Sequence, residues 1–325
     1  MRSPTVLLLA VLVIISSPLT NAADEAAALK RGEYLFRAGA CESCHTDVEH
    51  GGAFLAGGRA MKTAFGTFYT PNITPSLESG IGRWALEDFR RAMIEGSRPD
   101  GRPYYPVFPY RWYTGMRSED IADLWAYLQA IPPVENAVPP HKLNFPFNIR
   151  WLVLIWKLFN FDQGETVFDS QRSAQWNRGA YLVNHLGHCG ACHTPKVMSN
   201  FIGIEFLAGS TQIPGGLPAP NITPDVETGI GIWSPQDIVR ALKRAMRPDG
   251  TPIRGPMAEY VLYGSSYLSD ADLDAIAVYL MSLPAEEWGI EFGTELSQQV
   301  LEHDDHGSAG VRSLMAVEGK RTLAK

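Results

Sequence analysis

The chain has 325 residues, of which 45% are hydrophobic and 19% are charged, which is enough to build two domains of ordinary size and argues against a wholly disordered protein. The formal net charge is −7 and no basic run occurs, which argues against a nucleic-acid-binding protein because phosphate neutralisation requires surplus lysine and arginine. We therefore expect the partners to be proteins or membranes.

The first segment in chain order, residues 1–23, has the pattern of an export signal. Arg2 supplies a positive charge, the stretch from Val6 to Ile15 is apolar, and Ala22 and Ala23 are small residues suited to cleavage. The apolar stretch is shorter than the roughly 20 residues that cross a bilayer. The sequence therefore predicts export to the periplasm, with association with the inner membrane left open, rather than an uncleaved anchor.

The four cysteines form two C-x-x-C-H motifs. The first is Cys41-Glu42-Ser43-Cys44-His45, and the second is Cys189-Gly190-Ala191-Cys192-His193. The two thiols of such a motif lie about one helical turn apart, so both can form thioether bonds to one haem while the following imidazole reaches the iron. One copy could be half of a zinc site, but two copies at equivalent places favour haem over zinc or disulfides. The sequence thus predicts two covalently attached haem c groups, with Cys41, Cys44, Cys189 and Cys192 as attachment residues and His45 and His193 as iron ligands.

The surroundings of the two motifs also repeat. Residues 31–35 match 178–182, residues 71–75 match 220–224, and residues 80–84 match 229–233. Duplication explains this order of matches. We expect a first unit at residues 24–132, a linker at 133–170, a second unit at 171–285 and a C-terminal tail at 286–325 that lacks an apolar span.

Both units show the same helical plan. A helix leads into each motif, and a second helix follows each repeated tryptophan, which in the second unit begins with a capping signal at Ser234. The closing helix of the first unit is predicted to place Ile121 and Leu124 on one face, and that of the second unit Leu273 and Ile276, after a capping box that starts at Ser269. The expected fold is mainly α, with two tandem class I cytochrome c domains and long Gly/Pro-rich loops.

An aromatic and aliphatic segment from Trp151 to Phe161 belongs to neither unit. It contains Lys157 and is too short to cross a membrane. Its composition favours packing between the two units, and the alternative is docking on a membrane surface or on a partner subunit.

The sixth ligand of each iron decides between electron transfer and substrate binding, because an occupied position blocks chemistry at the iron. In the second unit Met257 lies in the segment before the closing helix and is the predicted ligand. In the first unit Met93 follows Phe89 at helical spacing, which indicates a core contact.

The repeated blocks resemble the cytochrome subunits of membrane-bound alcohol, gluconate and aldehyde dehydrogenases. The resemblance covers most of the chain outside the signal, linker and tail, and rests on these segments: residues 71–75 and 80–84 with their repeats, residues 105–110, and residues 187–195. It implies a string of cytochrome c domains, often three, that takes electrons from a PQQ-, flavin- or molybdenum-containing catalytic subunit and delivers them to ubiquinone or an oxidase.

The chain departs from that pattern in two ways. It has two units, which weakens the implication of direct quinone reduction, and Phe108 stands where many relatives carry a methionine ligand. Relatives that lack the first methionine often have one later in the same segment, so the resemblance implies Met116 as the ligand in the first unit. The alternative is a five-coordinate haem in the first unit.

Together, these features predict a dihaem cytochrome c. It would transfer electrons from a periplasmic dehydrogenase to a quinone, an oxidase or a soluble cytochrome, with redox proteins as partners and no catalytic residue of its own. The rival hypothesis is a dihaem enzyme of the peroxidase or thiosulfate dehydrogenase type, in which one haem is catalytic. Phe108 keeps that hypothesis open, because phenylalanine cannot bind iron.

Overall fold

The computed structural model of the chain describes residues 18–164, 166, 168–195, 205–211, 213 and 218–287. Most of the predicted export signal and nearly all of the predicted tail lie outside these residues. The described part is mainly helical, as the apolar spacing predicts, with a small three-stranded antiparallel sheet in the order β1-β2-β3.

The helices are α1 (Pro18–Ala38), α2 (Cys41–His45), α3 (Leu86–Glu95), α4 (Tyr110–Tyr113), α5 (Ser118–Ala130), α6 (Leu152–Asn160), α7 (Ala174–Tyr181), α8 (Gly190–His193), α9 (Pro235–Arg244), α10 (Gly255–Tyr263) and α11 (Asp270–Leu280). A π-helical turn, Leu182–Leu186, continues α7, and short 3-10 turns occupy Val48–His50 and Ser265–Tyr267. The strands are β1 (Ala60–Thr63), β2 (Gly66–Tyr69) and β3 (Lys142–Leu143). None of the described helices is both long and apolar enough to cross a membrane.

Two helix pairs, α1 with α5 and α7 with α11, dominate the packing of the two units. Each pair crosses at a repeated glycine. A Cβ atom on Gly32 would overlap the backbone of Asp123, and one on Gly179 would overlap the backbone of Ala275. The recurring glycine ahead of each C-x-x-C-H motif therefore lets the leading helix lie directly against the closing helix.

The predicted apolar faces are buried. Ile121 and Leu124 of α5, and Leu273 and Ile276 of α11, are each at most 5% exposed and belong to one continuous core. Met93 also lies in this core, as its spacing predicts. Each buried leucine or isoleucine side chain contributes about 1.5–3 kcal/mol relative to an exposed one.

Helix capping follows the sequence closely. Ser234 accepts the N–H of Asp237, whose carboxylate accepts the N–H of Ser234, which completes the predicted capping box of α9. At α11 only half of the predicted box forms. Ser269 accepts the N–H of Asp272, but the carboxylate of Asp272 accepts hydrogen bonds from Tyr34 of the first unit and Arg178 of its own unit.

A pair of matching hydrogen bonds joins the two units. The hydroxyl of Tyr34 donates to Asp272 at 2.6 Å, and the hydroxyl of Tyr181 donates to Asp120 at 2.5 Å. Each tyrosine lies in a leading helix and each aspartate in the first turn of the other unit's closing helix. Both acceptors are carboxylates, so both tyrosine–aspartate hydrogen bonds are charge-assisted and fix how the units face each other. Arg178 also forms two hydrogen bonds to Asp272.

In the described residues, the Trp151–Phe161 segment packs on the first unit, which differs from the predicted packing between the units. Val153 of α6 is buried in a small separate cluster with Phe68 and Tyr105 of the first unit. The opposite face of α6 is exposed, including Leu154 and Leu158. The apolar side chains of this segment therefore lie mostly on the outward face of α6 and not in an interface between the units.

Candidate functional site

The first C-x-x-C-H motif forms the short helix α2, directly after α1. Ala40, the residue before the first cysteine, adopts the left-handed conformation with φ 47°, which turns the chain from α1 into the motif. Burial raises the pKa of the Cys41 thiol to about 12 and also raises that of Cys44. Both side chains are therefore neutral thiols in a largely apolar setting.

The second motif is built in the same way. His188 precedes Cys189 with φ 41°, again left-handed, and the helix α8 carries the rest of the motif. Burial, with the neighbouring Cys192 adding to it, raises the pKa of the Cys189 thiol to about 12. All four cysteines lie in the described residues, and no two of them form a disulfide.

Both motif histidines are oriented by the same backbone contact. The Nδ1 of His45 lies 2.8 Å from the carbonyl oxygen of Pro71, and the Nδ1 of His193 lies 2.8 Å from that of Pro220. A carbonyl oxygen can only accept, so Nδ1 carries the hydrogen in each ring. Burial lowers the pKa of both imidazoles, and the hydrogen bond to the carbonyl opposes that shift only in part. Each ring is therefore neutral, with a lone pair on Nε2, which is the state that a metal ion binds.

The loop that follows each motif histidine is held by the same hydrogen bond in both units. Gly57 donates its N–H to the carbonyl of His45, and Gly209 donates to that of His193, at 2.8 and 2.7 Å. Thr46 follows His45, and its hydroxyl accepts the N–H of Leu55 at 3.0 Å. These bonds fix the backbone on the far side of the imidazole, so the ring orientation is set before any ligand binds.

Asn72 and Asn221 hold the turns that present the two proline carbonyls. The side-chain oxygen of Asn72 accepts the N–H of Thr74 at 2.9 Å, and that of Asn221 accepts the N–H of Thr223 at 2.8 Å. Their amide groups donate to backbone carbonyls of later segments, at Val134 for Asn72. Between a turn role and a role as donor to a bound group, the contacts of both asparagines favour the turn.

A cluster of three rings, which the sequence did not predict, lies between the two motifs. The ring of Tyr113 lies 5.3 Å from that of His188, and the ring of Tyr260 lies 6.3 Å from His188 on another side, both edge to face. Burial raises the pKa of Tyr113, and the thiols of Cys41 and Cys44 add to the shift. Burial also lowers the pKa of His188 to about 4. His188 is thus a neutral, half-buried ring between the units.

The candidate methionines occupy different settings. Met116 is 2% exposed and lies in the main core, immediately before the residue that caps α5. Leu268 has the same place before α11 and the same burial. Met257 lies in the first turn of α10 and is half-buried. Phe108 packs its ring 5.8 Å from that of Tyr113.

Each unit thus brings together two thiols and one imidazole with an available Nε2. This is the donor set that covalent haem attachment uses. Within the described ranges no three histidine, cysteine, aspartate or glutamate side chains are arranged to hold a metal ion. The residues present fit a haem group.

Known proteins have similar sequences. The chain is 40% identical over 264 residues to a dihaem c-type cytochrome of Cereibacter sphaeroides, covering 79% of this chain and 86% of that protein. It is 38% identical over 309 residues to the gluconate 2-dehydrogenase cytochrome c subunit of Pantoea cypripedii, covering 91% of this chain and 68% of the subunit. The chain belongs to this family of c-type cytochromes.

Another member of the family is longer. The fructose dehydrogenase cytochrome subunit of Gluconobacter japonicus is 42% identical over 290 residues, and the cytochrome described here spans 87% of its own length and 58% of that subunit. No protein-family model matches the sequence. The predicted resemblance to dehydrogenase cytochrome subunits is confirmed.

Proposed function

We propose that each unit of this cytochrome carries one covalently attached haem c and that the chain is an electron-transfer protein. The observation that carries the proposal is the matched pair of contacts from His45 to Pro71 and from His193 to Pro220. These contacts leave Nε2 as the only nitrogen of each ring that can bind iron. A haem at each place supplies reversible one-electron chemistry.

The roles of the site residues follow from their chemistry. Cys41, Cys44, Cys189 and Cys192 form the thioether bonds, His45 and His193 bind the iron on one side, and Met116 and Met257 bind it on the other. The units that hold them are class I cytochrome c domains at residues 24–132 and 171–285, joined by a linker at 133–170.

The proposed sixth ligand of the iron lies in a different setting in each unit. Met257 is supported by its place ahead of the closing helix on a partly exposed turn. Met116 is supported by its contact with Tyr113, whose carbonyl accepts the N–H of Met116 at 2.9 Å and whose side chain lies near the first pair of thiols. The competing interpretation is that Met116 packs as Leu268 does, which leaves the first iron five-coordinate.

Partial burial of both motifs suits transfer of electrons. Neutral imidazoles and neutral, half-buried neighbours such as His188 provide a low-polarity environment that changes little when an electron arrives. Three relatives are named as subunits of fructose, alcohol and gluconate dehydrogenases, and the alcohol dehydrogenase is named as a quinone enzyme. We therefore assign the chain to the periplasm, with a dehydrogenase as electron donor and a quinone, an oxidase or a soluble cytochrome as acceptor.

Haem content tests the attachment. Intact mass and the pyridine haemochrome spectrum should give two haem groups per chain with one shared α-band. The Cys189→Ala variant should shift the contribution of one haem to longer wavelength, because one vinyl group stays unsaturated. An α-band that is unchanged in this variant would contradict attachment at the second unit.

Carbon monoxide tests the ligands. The reduced protein should stay low-spin in its presence, and Met116→Ala should create one high-spin haem that binds the gas. The matched variant Met93→Leu, in the same core, should leave the spectrum unchanged. A high-spin haem already present in the unmodified protein would refute Met116 as a ligand and would favour the enzyme hypothesis.

A further inference from the structure

Arg59 joins the first C-x-x-C-H motif to helix α10 of the second unit. Its guanidinium donates to the carbonyl of Ser43, which lies between the two cysteines of the motif. It also pairs with Glu259 of α10 at two points, because Nη2 lies 3.1 Å from Oε1 of the carboxylate and Nη1 lies 2.7 Å from Oε2. The two side chains are 20% and 32% exposed, so salt screens this pair less than it screens a fully exposed one.

The backbone fixes the place of the Arg59 charge. The N–H of Thr70 donates to the carbonyl of Arg59 at 3.0 Å, and the N–H of Gly58 donates to the carbonyl of Thr70 at 2.8 Å, just ahead of the pairing of β1 with β2. The preceding residue, Gly57, bonds to the carbonyl of His45. The segment that carries the guanidinium is therefore bonded both to the sheet and to the motif.

The ion pair is oriented, with its positive end at the motif. The guanidinium bonds to the motif backbone directly, and the carboxylate is carried by the other unit. Both charges act at the sulfur of Cys44: burial raises the pKa of this thiol, Arg59 opposes the rise, and Glu259 adds to it. Arg59 has the larger effect of the two, so the pair acts at this attachment residue as a net positive charge.

The equivalent position of the second unit is uncharged. Gly209 bonds to His193 as Gly57 bonds to His45, and this match places Thr211 where the first unit has Arg59. The hydrogen bonds between tyrosine and aspartate repeat in both directions across the units. The charge of Arg59 does not repeat, and it therefore distinguishes the first motif from the second.

We propose that Arg59, paired with Glu259 across the interface between the units, raises the reduction potential of the haem in the first unit. This inference rests on the proposed attachment of a haem at Cys41 and Cys44. Reduction adds one electron to the haem, so a nearby positive charge favours the reduced form and a nearby negative charge favours the oxidised form. Glu259 offsets part of the positive charge, so the second unit moderates the potential of the first.

Spectroelectrochemical titration of the holoprotein tests the proposal. Arg59→Gln should lower one of the two midpoint potentials, because it leaves the carboxylate of Glu259 unpaired with Arg59 beside the motif. Glu259→Gln should raise the same midpoint, because it removes the charge that offsets the guanidinium. In each variant the equilibrium constant for reduction of that haem should change by about three- to tenfold, and a tenfold change corresponds to about 59 mV for a one-electron couple.

Two further variants separate the effect of charge from that of structure. Arg59→Lys keeps the charge, so its midpoint should lie nearer to that of the unmodified protein than the midpoint of Arg59→Gln does. Arg59→Gln/Glu259→Gln removes both charges, so its midpoint should lie between those of the two single variants. A general loosening of the contact between the units would instead move the midpoint of both single variants in the same direction.

The Cys189→Ala background identifies the haem that responds, because it shifts the α-band of the haem in the second unit. The midpoint that moves should belong to the unshifted band. The proposal is overturned if neither single variant moves a midpoint, if both move it in the same direction, or if the shifted band responds. In a protein that contains two haems these results leave the proposed function standing, whereas a chain without a haem at the first motif overturns both.

Discussion

The hydrogen bond from Tyr181 to Asp120 offers a direct test of how the two units are held together. Tyr181→Phe removes one hydroxyl and keeps the ring, which is 5% exposed. The hydroxyl belongs to the second unit and the carboxylate to the first, so the variant weakens a contact between the units and leaves the packing of each unit intact.

The size of the effect follows from the remaining partners of the carboxylate. A buried hydrogen bond to a charged group contributes about 1.5–3 kcal/mol. Asp120 keeps a hydrogen bond to Arg117 at 2.9 Å, so it is not left unpaired and the cost lies at the lower end, about 1.5 kcal/mol. Tyr34→Phe should cost about 1 kcal/mol, because Tyr34 is more exposed and Arg178 still pairs with Asp272.

Denaturant unfolding of the holoprotein, followed by far-ultraviolet circular dichroism, measures these costs. The two hydrogen bonds have different donors and acceptors. Arg178 bonds to Asp272 and lies 5.8 Å over the ring of Tyr181, and phenylalanine keeps that ring. The double variant should therefore lose about 2.5 kcal/mol, the sum of the single effects. Tyr110→Phe is the matched control, because the hydroxyl of Tyr110 is buried and has no hydrogen-bond partner among the described residues. Its removal should leave the free energy of unfolding unchanged or slightly higher.

Two results would refute the reasoning. If Tyr181→Phe is no less stable than Tyr110→Phe, the contact between the units contributes nothing to stability. If the double variant loses much less than the sum, the two bonds are not independent and do not each hold the units together.

Three further predictions concern stability. Ser234→Ala should lower the free energy of unfolding by about 1 kcal/mol, measured in urea, because α9 loses its N-terminal cap. Burial raises the pKa of Asp272, but hydrogen bonds led by that from Arg178 leave it below the ordinary 3.8. The ionised carboxylate therefore stabilises the fold above pH 3.8, and this stabilisation is lost as the pH falls through the lowered pKa. Asp272→Asn should reduce the free energy of unfolding at neutral pH and make it depend less steeply on pH in the acid range. Gly190→Ala should lower the melting temperature, because the added Cβ would overlap the ring of Trp112 from the other unit, whereas a small shift would show that the ring moves aside.

Local features of the sequence predicted much of this fold. Apolar spacing placed the closing helices, and the serine and aspartate at the start of α9 predicted a cap that the structure contains. The motifs predicted that the thiols and imidazoles would lie together, because five consecutive residues on one short helix leave little freedom.

Contacts between the units could not be predicted in the same way. Tyr34 and Tyr181 occupy equivalent positions in the repeat, and nothing in either segment shows that its partner lies in the opposite unit. His188 is polar and next to a cysteine, yet it is half-buried because the rings of Tyr113 and Tyr260 both pack against it. The apolar face of α6 was expected to pack between the units, with docking on a membrane or a partner as the alternative, because composition shows that a helix is apolar and not which way it faces.

The reciprocal bonds between tyrosine and aspartate have a consequence for assembly. Each unit offers one donor on its leading helix and one acceptor on its closing helix, which makes the surface self-complementary. A single unit with both groups would pair with an identical copy through two equal bonds, as an isologous dimer does. Joining the copies in one chain makes that association intramolecular, so the spacing between the two C-x-x-C-H motifs does not change when the protein is diluted.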